Sequence, residues 1–215
     1  MALKKFSVPL HPTVHTQAIF LDKDGTLLVD APYNVEPTNM VLADGAAQAL
    51  ALLGDLGAPL AVISNQAGVA LGKFSEKQLG AVHDRLAELF KECGAKLAGF
   101  YYCPHHPDGS VPRYAMACDC RKPAPGLLWR AAEDLGVGME NCWMVGDILD
   151  DVEAGRRAGC NTILIDNGNE TEWFVNDLRR PRHVVRNMHE AAALIAQSIG
   201  RNVMRPMRVS SCHRG

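Results

Sequence analysis

Four short polar clusters in this chain each follow an apolar run, and each carries groups suited to phosphate or a metal ion. The first is Asp22-Lys23-Asp24-Gly25-Thr26, after Ala18-Ile19-Phe20-Leu21. Carboxylates two residues apart at a strand end share one face, and Gly25 permits a turn directly after them. Two buried anions side by side are costly without a cation, so the pair calls for a metal, a reaction or both. A polar strand-to-loop turn is the bland alternative. The second cluster, Ser64-Asn65-Gln66, ends the run Leu60-Ala61-Val62-Ile63. A hydroxyl followed by turn-forming residues offers Oγ and backbone N–H groups to an oxyanion, although Ser-Asn is also an ordinary strand ending. The third, Arg121-Lys122-Pro123, precedes a helix starting near Pro125. A cation there neutralises phosphate as charge shifts; alone it would read as a solvated lysine. The fourth is Gly146-Asp147-Ile148-Leu149-Asp150-Asp151, after Trp143-Met144-Val145. Asp150 and Asp151 suit a helix start. Asp147 falls at the strand end itself, where a third carboxylate beside Asp22 and Asp24 needs a divalent cation. Hard oxygen ligands with phosphate present favour Mg²⁺.

A separate group carries softer donors. Cys103-Pro104-His105-His106-Pro107 and Cys118-Asp119-Cys120 supply Cys-x-His and Cys-x-Cys pairs, enough for four tetrahedral ligands to zinc. The expected set is Cys103, His105, Cys118 and Cys120, with His106 competing for the place of His105. No coordination position is left open, so the zinc is expected to be structural, holding a loop that has little to form a core. Free thiols beside a surface His pair are the alternative. Cys93, Cys142 and Cys160 read as small core residues, and Cys212 has no pairing signature.

The elements that must position these clusters alternate. Strands are expected at Ala18–Leu21, Leu60–Ser64, Gly99–Tyr102, Cys142–Val145, Thr162–Ile165 and His183–Val185. Helices are expected at Gly45–Leu53, Glu76–Cys93, Pro125–Leu135, Val152–Ala158 and Glu190–Ile199. The second helix carries a capping box, Ser75-Glu76-Lys77-Gln78, and an apolar face of Leu79, Val82, Leu86 and Leu89. The alternation predicts an α/β fold, a doubly wound parallel sheet covered on both faces, with ligands beyond the carboxyl ends of the strands. The 215 residues fit one domain, 1–199 including the loop 103–120, followed by a basic tail at 200–215. A net charge of −2 and a pI near 6.4 make no whole-chain case for nucleic acid. No apolar run reaches the roughly 20 residues of a membrane span, and Met1–Gln17 lacks a signal-peptide core. A cytoplasmic monomer, without nucleic-acid or membrane partners, is the expectation.

The order Asp-x-Asp, Ser, Lys, Gly-Asp-x-x-x-Asp resembles the haloacid dehalogenase superfamily of phosphohydrolases, from about Ala18 to Ile165. The resemblance implies a Rossmann-like fold with a minimal cap and an aspartyl-phosphate mechanism. It makes Asp22 the nucleophile and Asp24 the general acid and base. Ser64 and the Asn65 amide would hold the phosphoryl oxygens, and Lys122 would neutralise charge. Mg²⁺ would lie between Asp22, the Asp24 carbonyl and Asp147, with Asp151 in the outer shell. With the Cys/His loop added, the chain is similar to the heptose 1,7-bisphosphate 7-phosphatase family, related to the histidinol-phosphate phosphatases. That family points to lipopolysaccharide or S-layer glycan precursor synthesis and a small phosphorylated sugar as substrate. By the same resemblance Asp30, Tyr33, Ser64, Asn65, Gln66, Ala67, Arg121 and Lys122 face the substrate.

The chain departs from that family at two places. Ile148 follows Gly-Asp where a basic residue is common, and Leu71-Gly72-Lys73-Phe74 replaces an Arg-Gly-Lys-Phe. A histidinol-phosphate or other small sugar-phosphate phosphatase is the second enzymatic reading. A non-catalytic phosphate-binding interaction module, docking through the basic tail, is the reading of a different class.

Overall fold

The computed structural model describes residues 16–203. Residues 204–215 of the basic tail, Cys212 among them, and the first fifteen residues lie outside that range. Six strands form one parallel sheet: β1 Ile19–Leu21, β2 Leu60–Asn65, β3 Leu97–Cys103, β4 Trp143–Gly146, β5 Asn161–Ile165 and β6 His183–Val185. Their spatial order is β3-β2-β1-β4-β5-β6. The chain therefore winds outward from β1 in one direction and returns to lay β4 on its other side. The junction of β1 and β4 is the switch point where such sheets open a crevice.

The five α-helices among the described residues are α1 Ala46–Asp55, α2 Leu79–Glu92, α3 Gly126–Leu135, α4 Leu149–Ala158 and α5 Met188–Val203. Strand alternation decides which face each helix covers. Ile19, Leu21, Leu60 and Val62 join the core made with α1, α2 and α5. Ala18, Phe20, Ala61 and Ile63 join a second core under α3 and α4. On α1 the buried residues are Ala46, Ala49, Leu50 and Leu53, the i, i+3, i+4, i+7 stripe of a helix lying on a sheet. On α2 the expected face, Leu79, Val82, Leu86 and Leu89, is buried together with Phe90. Gly155 lets α4 approach closely, because a Cβ there would run into Thr162 and Met144.

Several boundaries differ from the sequence reading. The α2 region opens with a 3₁₀ turn, Glu76–Gln78, before the α-helix begins at Leu79. The Ser75 N–H still donates to Gln78 Oε1 at 2.9 Å, as the capping box requires. Helix α4 begins at Leu149, one turn before the expected Val152, and α5 continues to Val203, beyond Ile199. Strand β3 is longer at both ends than Gly99–Tyr102. Its last pair is Asn65 with Cys103, so the sheet carries the Ser64 strand to the start of the Cys/His loop. That loop is stitched down further by Gln66 N–H to Cys103 O, 2.8 Å, and Val111 N–H to Ala70 O, 2.9 Å.

Candidate active site

Asp22 follows β1, Ser64 lies near the end of β2 and Asp147 follows β4, so adjacent strands bring all three to one edge of the sheet. Lys122 arrives from the loop before α3. Its Nζ donates to Asp22 Oδ1, to Asp151 Oδ1 at 2.5 Å and to Ile63 O at 3.2 Å. Lys122 and Asp151 are buried, Asp151 completely. Burial works against a charged ammonium, but Asp151 and Asp22 outweigh it and raise the Lys122 pKa. The lysine is a fixed cation.

Asp22, Asp147 and Asp151 bring carboxylate oxygens within 4.8 Å of one another. Asp147 is held on both oxygens: Thr26 Oγ1 donates to Oδ1 and Asn169 Nδ2 to Oδ2, each at 2.8 Å. Burial and the neighbouring Asp22 charge push the Asp147 carboxyl up to about 6, against those two hydrogen bonds. Burial likewise raises Asp151, with Lys122 pulling the other way. Three buried oxygen donors with only one ammonium among them fit a hard divalent cation such as Mg²⁺. The Asp24 carboxylate stands apart from that cluster. It pairs with Lys23 Nζ at 2.6 Å and accepts from Gln66 Nε2 at 3.5 Å. Burial raises its pKa while Lys23 lowers it.

Lys23 is an addition to the sequence reading, which assigned it nothing. It is fully buried, and its Nζ also reaches Asn34 O at 3.3 Å. Asn65 is redefined. Its Nδ2 donates to Lys122 O and its Oδ1 accepts from Lys122 N–H, both at 3.0 Å, so its side chain clamps the Lys122 backbone. Gln66 Nε2 donates to Ser64 Oγ at 2.8 Å, which orients the hydroxyl. Ala67 is half-buried beside them. Among the described residues Arg121 Nη1 is the one buried side-chain nitrogen or oxygen without a hydrogen-bond partner. Asp30 and Tyr33 are exposed; Lys73 Nζ sits 5.8 Å from the Tyr33 ring centre, a cation–π distance.

The second cluster assembles as its spacing predicts. Cys103, His105, Cys118 and Cys120 converge, with donor atoms within 4.8 Å. His105 Nδ1 lies 3.3 Å from Cys120 Sγ and 3.7 Å from Cys103 Sγ, and the sulfur separations are 3.1–3.5 Å. Tetrahedral Zn–S bonds of about 2.3 Å place sulfurs roughly 3.7 Å apart, so a small contraction of the thiols is the only misfit to zinc. His106 Nδ1 instead accepts the Asp108 N–H at 3.2 Å. Cys142 and Cys160 are buried and Cys93 packs against the core, as expected of small apolar residues.

Comparisons with known proteins agree with this geometry. A HAD-hydrolase-like family model matches residues 119–191. The D-glycero-beta-D-manno-heptose-1,7-bisphosphate 7-phosphatase of Escherichia coli K12 is 40% identical over 170 residues, covering 75% of this chain and 89% of that protein. The Yersinia pestis enzyme of the same name is 37% identical over 77% of this chain and 93% of its own length. Among solved structures, D,D-heptose 1,7-bisphosphate phosphatase from B. bronchiseptica, complexed with magnesium and phosphate, superposes with a TM-score of 0.73 and 29% identity. The match covers 85% of this chain and 99% of that one. A HAD-like phosphatase from Mesorhizobium loti gives 0.76 and 31%, over 94% of both chains.

Proposed function

Because this chain belongs to the heptose-1,7-bisphosphate 7-phosphatase family of HAD-like hydrolases, we propose that it removes the 7-phosphate of D-glycero-D-manno-heptose 1,7-bisphosphate through an aspartyl-phosphate on Asp22. The observation that carries the reading is the buried Asp22–Lys122–Asp151 contact beside Asp147, at the junction of β1 and β4. It supplies a carboxylate nucleophile, a fixed cation and metal-ligand oxygens within one crevice.

Asp22 attacks phosphorus in line, and its carboxylate oxygen becomes phosphorylated as the bond from phosphorus to the sugar oxygen breaks. Asp24, protonated, gives its proton to that oxygen; as a carboxylate it then takes one from the water that opens the aspartyl-phosphate. The raised Asp24 pKa suits the first role, and Lys23 limits the rise so that the second remains available. Ser64 Oγ, oriented by Gln66, and the Asn65 backbone N–H receive phosphoryl oxygens. Lys122 balances charge on Asp22 before and after transfer. Asp22, the Asp24 carbonyl and Asp147 would hold Mg²⁺, with Asp151 behind them; the ion would neutralise phosphoryl charge. Cys103, His105, Cys118 and Cys120 would hold a structural zinc, fixing the loop that leads into Arg121 and Lys122.

Arg121, with its unpartnered buried nitrogen, and Lys73, 5.8 Å from the Tyr33 ring centre, are the cations for the remainder of a phosphorylated sugar. Ile148 and Leu71 add no charge. We propose a monomer acting on this small substrate. A panel of heptose 1,7-bisphosphate, histidinol phosphate and fructose 1,6-bisphosphate tests the assignment. The heptose bisphosphate should show the highest kcat/KM, and Ile148→Lys should lower KM for bisphosphates more than for monophosphates. A higher kcat/KM on histidinol phosphate refutes the heptose assignment and leaves phosphatase chemistry standing.

A further inference from the structure

The segment after β5, Asn167-Gly168-Asn169-Glu170, belongs to none of the four clusters. Yet three of its side chains each reach a different part of the crevice. Asn167 Nδ2 donates to Gly25 O at 2.7 Å, in the turn behind Asp22 and Asp24. Asn169 Nδ2 donates to Asp147 Oδ2 at 2.8 Å. Glu170 Oε2 accepts the Leu149 N–H at 2.6 Å, capping the first turn of α4. The segment is braced internally, because Asn169 N–H donates to Asn167 Oδ1 at 3.2 Å and Glu172 N–H to Glu170 Oε1 at 2.6 Å. Further along, Arg179 pairs with Asp150 and with Glu153, the latter at 2.9 Å, fastening the chain to α4 again.

The packing at Gly25 shows how closely this strap is fitted. Gly25 has φ +79°, and a Cβ there would collide with both Asp147 Oδ2 and Asn169 Nδ2. The turn after β1, Asp147 and Asn169 therefore occupy one contiguous contact with no room to spare. Thr26 fixes the other Asp147 oxygen, so the rotation of that carboxylate is set by two donors from opposite sides.

We infer that Asn169, supported by Asn167 and Glu170, is a positioning residue that orients Asp147 for the divalent cation. The inference rests on the reading of Asp147 as a magnesium ligand. A carboxylate held by a neutral donor keeps its charge for the metal while losing its freedom to turn away. Removing such an outer partner weakens metal binding about 10- to 100-fold.

The test is Mg²⁺ titration of the purified full-length, zinc-loaded protein by calorimetry, without substrate, for wild type, Asn169→Leu, Asn169→Ala and Asp147→Asn. Asn169→Leu keeps the side chain's size and removes the donor; Asn169 is only half-buried, so the metal-free Tm should hold. Both Asn169 variants should bind Mg²⁺ 10- to 100-fold more weakly. In turnover assays they should need correspondingly more Mg²⁺ while approaching wild-type kcat at saturation. If Asn169→Leu and Asn169→Ala bind Mg²⁺ within threefold of wild type while Asp147→Asn does not bind, the role of the strap is overturned and the metal site stands. If Asp147→Asn keeps wild-type affinity, the metal reading beneath it falls instead.

Discussion

Replacing Asn65 tests whether its side chain serves the substrate or the lysine. Its carboxamide makes two hydrogen bonds to the Lys122 main chain, both at 3.0 Å. At a net 0.5–1.5 kcal/mol each, Asn65→Ala should lower unfolding free energy by about 1–3 kcal/mol. The larger effect should be kinetic. Lys122 Nζ is placed between Asp22 and Asp151 by a main chain that Asn65 holds from β2, and a displacement of about 1 Å costs on the order of 100-fold in rate. Asn65→Ala should therefore lose between tenfold and 100-fold in kcat with KM changed by less than about threefold. Asn65→Asp keeps the acceptor for Lys122 N–H but turns an anion toward Lys122 O, so it should be no better than the alanine variant. Urea unfolding and steady-state kinetics measure both quantities. Wild-type stability and kcat, with a raised KM alone, would show that the side chain touches substrate and that the clamp has no consequence.

Lys23→Met removes the buried cation beside Asp24, so the Asp24 pKa should climb further. The protonated acid then persists to higher pH, and the alkaline limb of the kcat/KM profile should move up; an unmoved limb refutes the pairing. Purified protein should carry about one zinc per chain; Cys118→Ser should lower stability and activity together, and a zinc-free preparation of full activity would sink the structural role. After zinc is stripped, Cys118 should be the first of the three thiols alkylated. Burial raises it, but hydrogen bonds from Cys120 and Cys103 bring it below the ordinary thiol value, whereas Cys103 and Cys120 are raised. Asp147 is raised to about 6 from 3.8, so the native state holds this proton more tightly than the unfolded chain. Metal-free stability from this group is greatest below pH 3.8 and falls as pH rises through about 6. Mg²⁺ competes with that proton, so the Mg²⁺-induced rise in Tm should be larger at pH 7.5 than at pH 5; equal shifts would refute it.

The alternating α/β plan was legible in the amino-acid order, because apolar runs such as Ala18–Leu21 and Leu60–Ile63 alternate with helical stripes such as Leu79, Val82, Leu86 and Leu89. That order also marked where chemistry would fall, since polar clusters at strand ends converge once the strands are parallel and adjacent. The Cys-x-His and Cys-x-Cys pairs were legible from spacing, but the choice of His105 over His106 was not: the fold brings His105 to the three cysteines and leaves His106 Nδ1 accepting the Asp108 N–H. Which partner each polar group bonds to emerged from the folded arrangement. Asn65 looks like a phosphate-facing turn residue, but Lys122, 57 residues later, takes both ends of its carboxamide. Helix α4 starts a turn before Val152: Asp150 and Asp151 suit that start locally, and Asp151 Oδ2 accepts the Ile148 N–H at 3.3 Å, but the acceptor for the Leu149 N–H is Glu170, 21 residues downstream, which no local residue signals. Nothing in the local sequence marks Lys23, between two aspartates, as enclosed, yet it is fully buried. The one sequence-level hint of Asn169 was its place just past the carboxyl end of β5, on the edge where parallel sheets bind ligands. Its partner, Asp147, directly follows the neighbouring strand β4. Local periodicity reports which face is buried; it carries no information about which distant donor meets which acceptor.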